Sequence, residues 1–219
     1  MADDKQKEYC VNFENVKEAA SRIEGVVRRT PVLTSPLFDD DDSIISSNGN
    51  KKRFYFKVEA MQHTGSFKFR GALNATKCEV AKNGNTDSSP LHVVTHSSGN
   101  HAQAVAMAAK LSSTPERPVK ATIVMPRNAP VIKKTATEAS GAKVILVDST
   151  NEAREAEADK IVEETDAVFI HPSEDPRVIA GQGTCSLEMV EQVKELGCEK
   201  LDAVIIPVGG GGLASGNTI

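Results

Sequence analysis

Apolar side chains recur at two different spacings along the chain, and the change from one to the other marks out its elements. Phe13, Val16, Ala20 and Ile23 fall at helical intervals in FENVKEAASRIE, and Thr30-Pro31 ends that pattern. A strand is expected at Phe54 to Val58. From His92 onward, short runs rich in Val and Ile alternate with helical stretches: HVVTH leads into Ala102 to Leu111, ATIVM into a helix near 130 to 140, and KVILVD into Glu152 to Glu164. Two further strands are expected, at Ala167 to Ile170 and Ala203 to Val208, with a helix from Thr184 to Leu196 between them. Such alternation predicts an α/β fold with a parallel sheet whose crossovers are helices, and it puts ligands at the loops beyond the strand C-termini.

Two polar stretches, Asp39 to Asn50 and Asn83 to Pro90, carry no periodicity and read as solvated loops. The chain has 219 residues, enough for one fairly large domain or two small ones. It is 39% hydrophobic and 26% charged, with no apolar run near the roughly 20 residues of a membrane span, so a soluble protein without a membrane partner is expected. A net charge of −4 with both signs interspersed leaves no basic footprint for nucleic acid. Cys10, Cys78, Cys185 and Cys198 form no close pair, and the first residues lack the apolar segment of a signal peptide. A cytoplasmic setting is expected, with no metal site assigned.

Three segments carry candidate chemistry. In Thr64-Gly65-Ser66-Phe67-Lys68-Phe69-Arg70-Gly71-Ala72 a lysine stands between aromatic rings after a glycine turn. Apolar neighbours and nearby Arg70 would both disfavour its ammonium form, and the neutral amine is the nucleophile that a Schiff base requires. In Thr95-His96-Ser97-Ser98-Gly99-Asn100-His101, hydroxyls and unsatisfied N–H groups meet at the start of a small-residue helix, which suits a carboxylate or phosphate. Pro207-Val208-Gly209-Gly210-Gly211-Gly212-Leu213-Ala214 places four glycines between an apolar run and a helix start. Without side chains such a loop lets backbone N–H groups wrap a phosphate, with the helix dipole behind them. Gly209-x-Gly211-x-x-Ala214 also meets the loose dinucleotide fingerprint, but its acidic partner would fall beyond Ile219, so a nicotinamide nucleotide is not expected.

In this order SFKFRGA, SSGNH and GGGG resemble the lysine, substrate and phosphate motifs of the serine racemase and serine/threonine dehydratase family, pyridoxal-phosphate enzymes of the tryptophan synthase β-like fold. The resemblance runs from Arg29-Thr30-Pro31 to Ile219 and includes HPSEDPRVIAGQGT. It implies two domains with parallel sheets flanked by helices: a large cofactor domain of 1–88 and 170–219, lacking its C-terminal part, and a small inserted α/β domain of 89–169. It also implies that Lys68 holds pyridoxal 5'-phosphate as a Schiff base and acts as a base on one face of the substrate. Phe67 would pack beside the cofactor, Asn100 would reach its ring hydroxyl, and Gly209, Gly210, Gly211 and Gly212 would bind its phosphate. Ser98 would act on the opposite face. Ser97, Ser98, Asn100, His101 and Arg154 would bind the substrate.

The activity implied is serine racemisation, elimination of water from L-serine or L-threonine to a 2-oxo acid and ammonia, or both. The complete protein would be a homodimer acting on these amino acids. The resemblance extends to magnesium and ATP as effectors, and no residue here is assigned to either. Because the pattern stops without a closing signal, a fragment is expected, and the alternative is an inactive remnant that binds cofactor or amino acid.

Overall fold

The computed structural model describes residues 10–39, 52–82 and 89–219. Most of each polar stretch expected as a loop lies outside them. Helix α1, Phe13–Ile23, is opened by a reciprocal cap in which the Asn12 and Asn15 side chains each accept the other's backbone N–H. Its buried face is Val16, Ala19 and Ile23, so the inward stripe is rotated from the expected one and Phe13 remains half exposed. Strands β1, Val32–Leu33, and β2, Phe56–Lys57, pair antiparallel on either side of the short helix α2, Pro36–Asp39. Two tight 3-10 turns, Glu59–Met61 and His63–Gly65, then lead into α3, Lys68–Lys82.

The expected alternation follows as β3 (Leu91–His96), α4 (Asn100–Ser112), β4 (Val119–Pro126), α5 (Val131–Ala139), β5 (Lys143–Val147), α6 (Asn151–Thr165) and β6 (Val168–Phe169). The four strands form one parallel sheet in the order β5-β4-β3-β6. Helix α4 buries Ala102, Ala104, Val105, Ala106, Ala108 and Ala109. So many small side chains let α3 approach it closely from one side and the sheet from the other. One core cluster accordingly joins Phe69 and Leu73 of α3 to Val105 of α4, Ile123 and Met125 of β4, and Val178. The opposite face of the sheet is covered by Ala158 and Ile161 of α6, packed with Val94 and Val124.

Helix α7, Pro176–Glu195, starts well before the expected Thr184. Asp175 caps it by accepting the Arg177 N–H at 2.9 Å, and Pro176 occupies the first turn, where its missing N–H costs nothing. It crosses α3 where Gly71 meets Gly181: a methyl group on Gly181 would lie 2.6 Å from Gly71 Cα and 2.7 Å from the Arg70 carbonyl oxygen. Helix α8, Gly212–Asn217, packs on α7 through Gly183 and Gly216.

The expected strand Ala203 to Val208 does not form. Ile205 is 92% and Val208 72% exposed, and no described strand lies alongside to complete a ladder. An apolar β-branched run carries strand propensity, but a strand exists only where a partner accepts its hydrogen bonds. The described residues thus form an α/β fold with one parallel sheet flanked by helices, as the alternation predicts.

Candidate functional site

Strands β4 and β5 are laid down on one side of β3, and β6 is added on the other. The chain order reverses between β3 and β6, and in open parallel sheets ligands bind beyond the strand C-termini at such a point. The loop after β3 is Ser97-Ser98-Gly99, and the loop after β6 is His171-Pro172-Ser173-Glu174. The two are tied at their bases: Thr95 Oγ1 donates to the Ile170 carbonyl at 2.7 Å, and His101 Nε2 lies 3.1 Å from the same oxygen.

The second loop is the junction of the site. Lys68, the first residue of α3, donates from Nζ to the Pro172 carbonyl at 2.6 Å. The next residue, Ser173, carries the glycine loop: a methyl on Gly210 would stand 2.6 Å from its Oγ, and one on Gly212 would stand 2.9 Å from its carbonyl oxygen. Gly211 caps α8 at φ +84°, a conformation open chiefly to glycine. The amine and the glycine loop, far apart in sequence, thus meet on adjacent residues of one turn. The six residues of α8 make a weak dipole source, so a phosphate there would rely on the N–H groups of Gly209 to Gly212 and less on the helix than expected.

Burial lowers the Lys68 pKa from its ordinary range, which favours the nucleophilic amine. The Phe67 ring, 5.4 Å from Nζ, is placed to pack beside whatever the amine holds. Arg70 makes no contribution to the shift, contrary to expectation. Its buried guanidinium is turned away to Glu59, at 2.7 and 2.9 Å, and to Glu188, at 3.1 Å on both oxygens. Lys57 completes that network by bonding Glu188, Gln192 and the Thr30 carbonyl. Two cations and two carboxylates balance, so the charge of Arg70 is neutralised locally and cannot repel the Lys68 ammonium.

Ser97 closes its own loop, its N–H donating to the Val124 carbonyl at 3.1 Å and its Oγ accepting from the Gly99 N–H at 3.2 Å. Ser98 is half-buried with no hydrogen bond among the described residues, and Asn100 is exposed at the start of α4. The His101 ring is 2% exposed and turned to Ile170, which leaves its backbone N–H, not its imidazole, for a ligand at the loop. Burial first, then the Lys68 charge, push its pKa down to about 3, and it is neutral. Arg154 folds back on its own helix start, donating to the Thr150 carbonyl at 3.2 Å and to the Asn151 side chain.

Several features carry no sequence signal of their own. The Thr64 and Ser66 hydroxyls, just before Lys68, are buried without a hydrogen-bond partner, as is His101 Nδ1. Lys133 of α5 reaches the Ser97–Gly99 loop, its Nζ 3.5 Å from where a methyl on Gly99 would stand. Only the order of the strands brings these groups to the loops that the motifs mark.

A lysine of lowered basicity, unpartnered buried hydroxyls beside it and an adjoining side-chain-free loop fit a ligand that combines an aldehyde with a phosphate. Residues 23–218 match the family model described as pyridoxal-phosphate dependent enzyme. The chain belongs to that family. It is similar to serine racemase of Rattus norvegicus, 43% identical over 212 residues that cover 97% of this chain and 58% of that protein. Among solved structures it resembles a pyridoxal 5'-phosphate-dependent aspartate racemase, with a TM-score of 0.82, 39% identity and coverage of 96% of this chain and 58% of that one. It also resembles serine racemase from Dictyostelium discoideum, with a TM-score of 0.79, 42% identity and coverage of 95% and 61%. The chain therefore spans about three-fifths of the relatives it matches. Among the described residues no helix is long and apolar enough to cross a membrane.

Proposed function

We propose that this chain carries the cofactor lysine and substrate loop of a pyridoxal-phosphate-dependent serine racemase, serine/threonine ammonia-lyase, or enzyme with both activities. The observation that carries the reading is Lys68, its basicity lowered by burial and its Nζ on the Pro172 carbonyl beside the glycine loop. When bound, the cofactor supplies an electron sink for the charge left by loss of the substrate's Cα proton. Lys68 holds the cofactor and then takes that proton from one face. Ser98, its hydroxyl free of other bonds, returns a proton from the opposite face in racemisation. The N–H groups of Gly209, Gly210, Gly211 and Gly212 hold the phosphate, and Phe67 and Asn100 line the ring. Ser97, Asn100, the His101 N–H and Arg154 orient the amino acid.

Residues 89–169, with the substrate loop, form the small domain of this reading, and the remainder forms the large one. The complete protein is taken as a homodimer of the cytosol; all four cysteines are free thiols, which suits a reducing compartment. Magnesium and ATP have no assigned part. A second reading is a remnant that binds cofactor or amino acid without turnover.

The test is the absorbance of the purified protein with pyridoxal phosphate, beside Lys68→Ala, before and after L-serine. A band near roughly 410 nm, as for a lysine Schiff base, that is lost in Lys68→Ala and shifts with L-serine is the expected result. Assays for D-serine and pyruvate then divide racemase from lyase. Folded protein without the band refutes the role of Lys68, and a band without turnover selects the remnant.

A further inference from the structure

Two positive groups meet at Gly99, the start of α4 and the Lys133 ammonium. Gly99 opens α4, a helix of 13 residues, with no side chain capping its free N–H groups. Helix α5 also starts without a side-chain cap and has no acidic residue in its first turn. Lys133 occupies that first turn and points its ammonium at the Gly99 loop. A helix start favours negative groups, so a lysine there acts against α5's own dipole and against the end of α4 as well. Its neighbour Lys134 reaches Glu138 at 3.7 Å, whereas Lys133 Nζ has no hydrogen bond or ion pair among the described residues. Arg154, the other cation expected at the substrate, is already bonded to Thr150 and Asn151.

The Lys133 ammonium, without an ion pair among the described residues, and the uncapped start of α4 face each other across Gly99, and an anion between them would bond to both. We propose that Lys133 holds the carboxylate of the amino-acid substrate against the substrate loop. This rests on the reading of the Ser97–His101 segment given above. Lys133 then adds a second cation, beside Arg154, to a cradle that the Ser97–His101 loop furnishes only with neutral donors. It sets a requirement for a free carboxylate, so amides and esters of the same amino acid bind without its help.

The experiment uses the protein loaded with pyridoxal phosphate and follows the shift of the cofactor band on titration with L-serine and, separately, with L-serinamide. Lys133→Met is expected to weaken L-serine by roughly 10- to 100-fold, the range of a lost charge-assisted hydrogen bond. The same variant leaves L-serinamide within about twofold, and Lys133→Arg recovers most of the response to L-serine. Equal weakening of both ligands, or of neither, overturns the proposal. A second readout needs no cofactor: the urea midpoint of Lys133→Met does not fall, because no partner of the ammonium is lost, and a clear fall overturns the proposal by revealing a stabilising partner for it. Failure of the unsubstituted protein to form the band overturns the Lys68 reading and this proposal with it. A normal band with an unchanged serine response in Lys133→Met overturns this proposal alone.

Discussion

Acidification from pH 7 to pH 5 destabilises the fold through His101. The ring is buried at the start of α4, and Nε2 donates to the Ile170 carbonyl while Nδ1 faces no acceptor. Protonation would bury a charge and an N–H without a partner, so the pKa falls from 6.5 to about 3. At pH 5 the unfolded chain carries a proton here and the folded protein does not. A folded state that binds fewer protons loses stability as pH falls; the contribution is complete above the unfolded pKa and is withdrawn between 6.5 and about 3. At about 1.4 kcal/mol per pH unit, the distance from the unfolded pKa to pH 5 corresponds to about 2 kcal/mol. The assay is urea unfolding at pH 7 and pH 5, for the unsubstituted protein and for His101→Gln, which keeps an N–H donor for Ile170 but cannot titrate. His63, His92 and His96 are also lowered by burial and act with the same sign, so they remain in both proteins and cancel. The depressed Glu59 carboxyl cancels likewise. His101→Gln should lose about 2 kcal/mol less than the unsubstituted protein. An equal loss in both refutes the assignment of a buried neutral imidazole.

Gly181→Ala should cost roughly 1–3 kcal/mol in urea unfolding, because its methyl would meet the backbone of Gly71 and Arg70, which cannot step aside as a flexible side chain can. Gly209→Ala, with nothing within 4 Å of the new methyl and no positive φ, should change stability by less than about 0.5 kcal/mol. Arg70→Met should cost about 3–5 kcal/mol by leaving Glu59 and Glu188 with one cation between them, and Glu188→Gln added to it should recover part of that loss in the same assay.

The sequence by itself determined the elements and the kind of chemistry. Helical spacing located α1, Val- and Ile-rich runs located β3, β4 and β5, and the glycine turn before Lys68 and the four glycines at 209–212 marked the proposed amine and the proposed anion cradle. These are local properties, written in residues a few positions apart, and local propensity is what a single sequence carries. The start of α7 was also legible, in Asp175-Pro176, although the helix was expected later.

Tertiary structure decided which groups meet. The packing of α3 and α8 on α7 brings Lys68 to the Pro172 carbonyl and the glycine loop to Ser173. Tertiary structure turned Arg70 from an expected neighbour of Lys68's charge into the centre of a closed ion network, and it placed Lys133 beside Gly99. It also left Ala203 to Val208 without a strand, since strand propensity resides in a segment while its hydrogen-bond partner is supplied by another. Contacts between distant segments depend on how the whole sheet is wound, and that order is a property of the packed chain, not of any window within it.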